Sequence, residues 1–129
     1  MYTAAVDPRR TLGQVAEEAA SRFLARRGLA VVARNVRMRQ GEIDLIARDG
    51  DRWVFVEVKC RHARWGDAPS AAVSWHKRRR LVRLAQLWLR WKGLGDAACR
   101  FDVVAVTVGA RGAADIRHIP GAFDASGLA

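Results

Sequence analysis

The sequence predicts an α/β domain in which a mixed sheet is flanked by helices. Two segments, Thr11–Arg27 and a longer one running from Ser70 or Ser74 to about Trp91, repeat apolar residues at helical spacing. Several shorter runs are β-branched and aromatic and read as strands. Their order, helix, strand, strand, strand, helix, strand, is one that packs helices on a sheet. At 129 residues, 50% of them hydrophobic, the chain is long enough for one core without staples.

Residues 1–10 mix Pro8 with Arg9 and Arg10, show no period and read as a flexible basic arm. A single domain is expected over residues 11–119, with residues 120–129 as a flexible tail. In the first helix Leu12, Val15, Ala16, Ala19, Phe23 and Leu24 form the apolar stripe, Thr11 can cap the start and Gly28 suits the end. Glu17 and Glu18 lie in its first half, where the helix dipole favours acids. Leu29–Arg37 reads as a strand, with Asn35 placed where the chain turns or hydrogen-bonds a neighbour, and Met38–Gln40 as a short loop. After the central hairpin, Arg61–Pro69 has no period and contains Gly66, so it reads as a loop. The long helix carries Val73, Leu81, Leu84, Ala85, Trp88 and Leu89 on one stripe, with Lys77 at its edge, and Gly93 and Gly95 stop it. Arg100–Val108 is a further strand and Ile116–Ile119 a short final one. Asp102, within the former, is expected to pair with a basic neighbour.

The hairpin organises the rest. Glu42–Ala47 alternates around Asp44, Trp53–Val58 is apolar except for Glu57, and Asp49-Gly50-Asp51 lies between them. Asp-Gly supplies the positive φ values of a tight type I′ turn. With Gly50 and Asp51 as loop residues Asp44 faces Glu57; with Asp49 and Gly50 it faces Phe55. Both registers put Asp44 on the face of Phe55, Glu57 and Lys59, leaving Ile43, Leu45, Val54, Val56 and Val58 as the core face. Converging carboxylates repel and lose solvation unless a cation sits between them, and a divalent ion is the usual occupant. A solvated Glu57–Lys59 pair is the plainer alternative.

Asp44 followed by Glu57-Val58-Lys59 resembles the PD-(D/E)xK nuclease motif. Gly41–Ile46 together with Val54–Lys59 resembles the YraN family of bacterial endonuclease-like proteins, over about Leu12 to Val108. Ile43 stands where the formal motif has Pro, a substitution found in the resolvase-like branch. The resemblance implies a restriction-endonuclease-like αβββαβ core similar to Holliday-junction resolvases, and a metal-dependent endonuclease acting on DNA phosphodiesters, including branched recombination or repair intermediates. It implies Mg²⁺ or Mn²⁺ held by Asp44, Glu57 and the Val58 carbonyl, supported by Glu17, with Lys59 orienting and helping to deprotonate the attacking water. It also places a lysine at the position of Lys77.

Composition points the same way. A formal net charge of +10 and a pI near 11.3 favour a polyanionic partner, most directly nucleic acid. Candidate phosphate contacts are Arg34, Arg37 and Arg39 after the first strand, Arg61 and Arg64 in the loop, and Lys77, Arg78, Arg79, Arg80 and Arg83 on the long helix. Trp65 could meet bases or anchor the core, and His62 is a weak candidate ligand. Two further readings stay open: a basic nucleic-acid-binding module with little or no turnover, and an RNA- or ribosome-associated protein. A homodimer is compatible with all of these. No apolar run approaches a membrane span and residues 1–10 have no apolar core, so the expected location is cytoplasmic. Cys60 and Cys99 lack metal-ligand spacing and read as free thiols.

Overall fold

Helix α1 (Leu12–Arg26) starts at a capping box: the Thr11 hydroxyl accepts from the Gln14 N–H at 3.1 Å while the Gln14 side chain accepts from the Thr11 N–H at 2.9 Å. The computed structural model, which describes residues 11–63 and 73–125, continues through β1 (Ala30–Met38), β2 (Gly41–Asp49), β3 (Arg52–His62), α2 (Trp75–Trp91), β4 (Cys99–Gly109) and β5 (Gly112–Phe123). Ser74 caps α2 by accepting from the Lys77 N–H at 3.2 Å. The arm expected over residues 1–10, together with Arg64 and Trp65, lies outside the described residues.

The five strands form one sheet in the order β1-β2-β3-β4-β5. Neighbours are antiparallel except β3 and β4, which run parallel and therefore need a crossover; α2 supplies it. Helix α1 packs on one face through Val15, Ala16, Ala19, Ala20 and Leu24, meeting Leu45, Ala47, Val54, Val56, Val104 and Val106. Helix α2 covers the other through Leu81, Leu84, Ala85, Trp88 and Leu89, meeting Ile43, Ile46, Phe55 and Phe101. This mixed α/β architecture contains the expected αβββαβ order.

Three expectations need correction. The hairpin loop is Gly50-Asp51, closed by Asp49 opposite Arg52, but only Gly50 has positive φ, the pattern of a II′ rather than a I′ turn. Both faces of the sheet are covered, so Phe55, fully buried, belongs to a second core and not to a polar face. Ile43 and Leu45 accordingly pack in different clusters, because strand alternation breaks at Asp44. The matching break in β1 is Asn35, at φ 49°, which the register of Arg34 with Leu45 and Val36 with Ile43 sets across from Asp44.

Two boundaries also move. Strand β3 runs on to His62, into the expected loop, because its parallel pairing with β4 continues to His62 opposite Val108. Strand β5 runs to Phe123, so residues 120–123 belong to the sheet and not to a tail. Pro120 is tolerated because β5 is an edge strand with one neighbour, where a missing N–H can face outward. Phe123 then stacks on Phe101 at 5.3 Å.

Candidate functional site

The pairing of β2 with β3 stops at Leu45 opposite Val56, and beyond it a side chain replaces the ladder: Asp44 Oδ2 accepts from the Val58 N–H at 2.8 Å. That bond holds the carboxyl where the strands part. Continuing the register places Glu57 opposite Asp44, as the first of the two expected pairings requires. The break in alternation lets Asp44 reach toward α1, and there one ligand oxygen from each of Glu17, Glu42 and Asp44 lies within 4.8 Å of the others. Asn35, in its left-handed conformation, hydrogen-bonds the Glu17 carboxylate. On the α2 side Glu57 Oε1 lies 3.9 Å from Lys77 Nζ.

The electrostatics follow from this crowding. Burial, then the Glu57 charge, lift the Asp44 carboxyl to about 7, although the Val58 N–H opposes the shift. Glu57 is also raised, first by burial, with Lys77, Lys59 and Arg80 pulling the other way. Glu17 is raised by burial and by Asp44 and Glu42, while Asn35 favours its charged form. Asp44 and Glu57 also hydrogen-bond each other, which ties the protonation of one carboxyl to that of the other. Burial, Asp44 and Glu17 also push the half-buried Cys60 thiol up, which keeps it protonated.

The structure thus brings together Glu17, Asp44, Glu57 and Lys59, the last close enough to Glu57 to act on its charge. Glu42 escaped the sequence reading. The signal that could have found it is its position two residues before Asp44 in an alternating strand, which recommends it as a same-side neighbour. Glu18 turns away to Arg22 at 3.6 Å.

The candidate phosphate contacts divide. Arg34, Arg37 and Arg39 are exposed along β1 and its following turn, while Arg61 is half-buried at the end of β3. Lys77 is drawn to Glu57. Arg78 folds back, its Nε donating to the Val73 carbonyl at 2.8 Å and its guanidinium 5.6 Å from the Phe123 ring. Arg79, Arg80 and Arg83 face a shared cavity beside Gln40. Among the described residues no helix is long and apolar enough to cross a membrane.

The family model described as "Uncharacterised protein family UPF0102" matches residues 16–106. The chain is 50% identical over 116 residues to a UPF0102 protein of Symbiobacterium thermophilum, an alignment covering 90% of this chain and 98% of that one. It is 45% identical over 112 residues to one of Rhodococcus jostii, covering 87% and 95%, and 46% identical over 117 residues to one of Streptomyces griseus, covering 90% and 98%.

Proposed function

Since the chain belongs to the UPF0102 family, the YraN-like family its hairpin resembles and one whose name assigns no activity, we propose from its geometry that it is a divalent-metal-dependent nuclease acting on nucleic-acid phosphodiesters, DNA first among them. The observation that carries the proposal is the Asp44 carboxyl, bound by one backbone N–H and otherwise crowded by Glu17, Glu42 and Glu57. Carboxylates partly withdrawn from water and set beside one another carry a desolvation and repulsion cost that a bound cation would relieve.

The donor set fits the ion. All four side chains offer oxygen, which suits Mg²⁺ or Mn²⁺, with Asp44 and Glu57 as the central ligands and Glu17 and Glu42 in support. When bound, such an ion would stabilise negative charge developing on the phosphoryl oxygens. Lys59, adjacent to Glu57, would orient the attacking water and take up or offset its proton. Lys77 and Arg80, whose charges act on Glu57, would attract the scissile phosphate.

Calorimetric titration with Mn²⁺ and single-turnover cleavage of branched, single-stranded and duplex DNA test this. Asp44→Ala is expected to lose both Mn²⁺ binding and cleavage. Lys59→Ala should retain Mn²⁺ but cleave slower by roughly 10²-fold or more if it serves as general base. Unchanged Mn²⁺ affinity in Asp44→Ala would remove the site, and Mn²⁺ binding without cleavage of any of the three substrates would reduce the protein to a binding module.

A further inference from the structure

Trp75 belongs neither to the core nor to the acidic site. It is the first residue of α2 and is 49% exposed, although burial of an indole is the usual outcome for so large an apolar side chain. Capping does not explain it, because Ser74 performs that task. Its ring meets His76 edge-on at 5.2 Å, and the Arg79 guanidinium lies over it at 5.3 Å from the centroid. The indole is therefore held in place by a cation while much of its surface stays open.

His76 and Arg79 also line a cavity of about 330 Å³, completed by Gln40, Arg80, Arg83 and Leu84. Among the described residues that line it three are arginines and none is an acid, so these side chains concentrate positive charge there. The wall is firmly built: at Gly41, where φ is +152°, an added Cβ would come within 3.3 Å of both Arg80 and Leu84, so the β1–β2 turn lies directly against α2. Arg80 joins the cavity to the acidic site, since its charge also acts on Glu57. The cavity size is in the range of small-ligand sites and admits a nucleotide.

We propose that Trp75 and the arginine-lined cavity beside it bind an unpaired nucleotide, the indole stacking on its base and Arg79, Arg80 and Arg83 holding its phosphate, so that the substrate enters as single-stranded nucleic acid or a single-stranded extension. The chemistry is selective for that class. Bases in a duplex are stacked on each other and offer no free face to an indole, whereas an unpaired base does. Arginines alone would serve any polyanion; the pre-positioned aromatic beside them distinguishes this surface. The inference deepens the nuclease reading by naming its substrate class, and it rests on that reading for its link to cleavage.

Binding of labelled oligothymidylate and of a hairpin duplex with the same number of phosphates, measured with the full chain in EDTA, separates the two questions because no metal takes part. Trp75→Ala should weaken oligothymidylate binding about tenfold or more while changing duplex binding by less than about twofold, and Trp75→Phe should recover most of the loss. Arg79→Gln combined with Arg83→Gln should weaken both ligands and lower the log-log salt slope for the single strand by about 0.7 for each contact removed. Equal loss on both ligands in Trp75→Ala, no loss on either, or displacement of oligothymidylate by polyglutamate irrespective of Trp75 would overturn the proposal. A protein that shows the Trp75-dependent preference but binds no Mn²⁺ overturns the nuclease reading alone. One that binds Mn²⁺ through Asp44 and cleaves duplex DNA, with no contribution from Trp75, overturns this inference alone.

Discussion

Asp102 and Asp44 occupy strands of the same sheet, and their surroundings are opposite. Asp102 is fully buried and ringed by donors: Arg100 Nε at 2.8 Å and Nη2 at 3.2 Å, His118 Nε2 at 2.8 Å and the Gly121 N–H at 2.9 Å. Arg100 is in turn held by Asp49 at 2.8 Å, and its guanidinium is kept more firmly charged, first by its hydrogen bond to Asp102. With its proton on Nε2, His118 can also accept from Arg27 through Nδ1, at 3.5 Å. Asp44 has one backbone N–H and a ring of acids. A buried carboxylate that is fully paired holds a fold together; a half-buried one set among other acids carries repulsion that, on the proposed reading, a cation would relieve.

Stability measurements should expose the contrast most strongly. Asp102→Ala leaves Arg100 and His118 facing a vacated buried site and is expected to destabilise the domain by roughly 3 to 5 kcal/mol in urea unfolding. Asp44→Ala in EDTA should cost far less, or stabilise, because the repulsion and desolvation it removes offset its hydrogen bonds to the Val58 N–H and Glu57. Comparable losses for the two variants would erase the distinction.

Titration sharpens it further. The Asp44 carboxyl, at about 7 against an ordinary 3.8, keeps a proton that the unfolded chain has already released. Folding of the metal-free protein is therefore favoured at the acid end of that window, and stability falls as pH rises from about 4 to about 7, by roughly 4 kcal/mol at most at 1.36 kcal/mol per unit. Glu17 and Glu57, both raised, act in the same direction. Asp44→Asn should flatten the profile, and a wild-type profile that climbs across this interval would contradict the assignment.

The smallest effect is the stabilisation returned by a cation. Mn²⁺ at a hundred times its dissociation constant should add about 2.7 kcal/mol to the unfolding free energy, and thermal melts of Asp44→Ala should show none of it. An equal shift in both proteins would place the ion elsewhere.

Much of this was readable from local chemistry. Thr11 and Ser74 cap their helices as their side chains allow, and Gly50 directs a two-residue loop; the pairing of Asp49 with Arg52 then selects, of the two registers such a loop permits, the one that sets Asp44 across from Glu57. Asp102 pairs with a basic neighbour as a buried carboxylate must. What local chemistry could not reach were departures from regularity. A period of two puts Ile43 on the face of Leu45 and cannot foresee the break at Asn35 and Asp44 that separates them and brings Asp44 to Glu42 and Glu17. Pro120 and Gly121 look like the end of a strand until β4 is beside them to show that β5 is an edge.

The amino-acid sequence by itself determined which segments are helix and strand, where they cap and turn, and that an acid-acid-lysine set sits at one end of a hairpin, because these depend on neighbours a few residues apart. Tertiary structure decided which acids meet and which cations are already taken. Glu17 comes from a helix on one face, while Lys77 and Arg80 come from a helix on the other. Their distances to Asp44 and Glu57 are set by packing of both helices on a covered sheet, and no spacing along the chain encodes that.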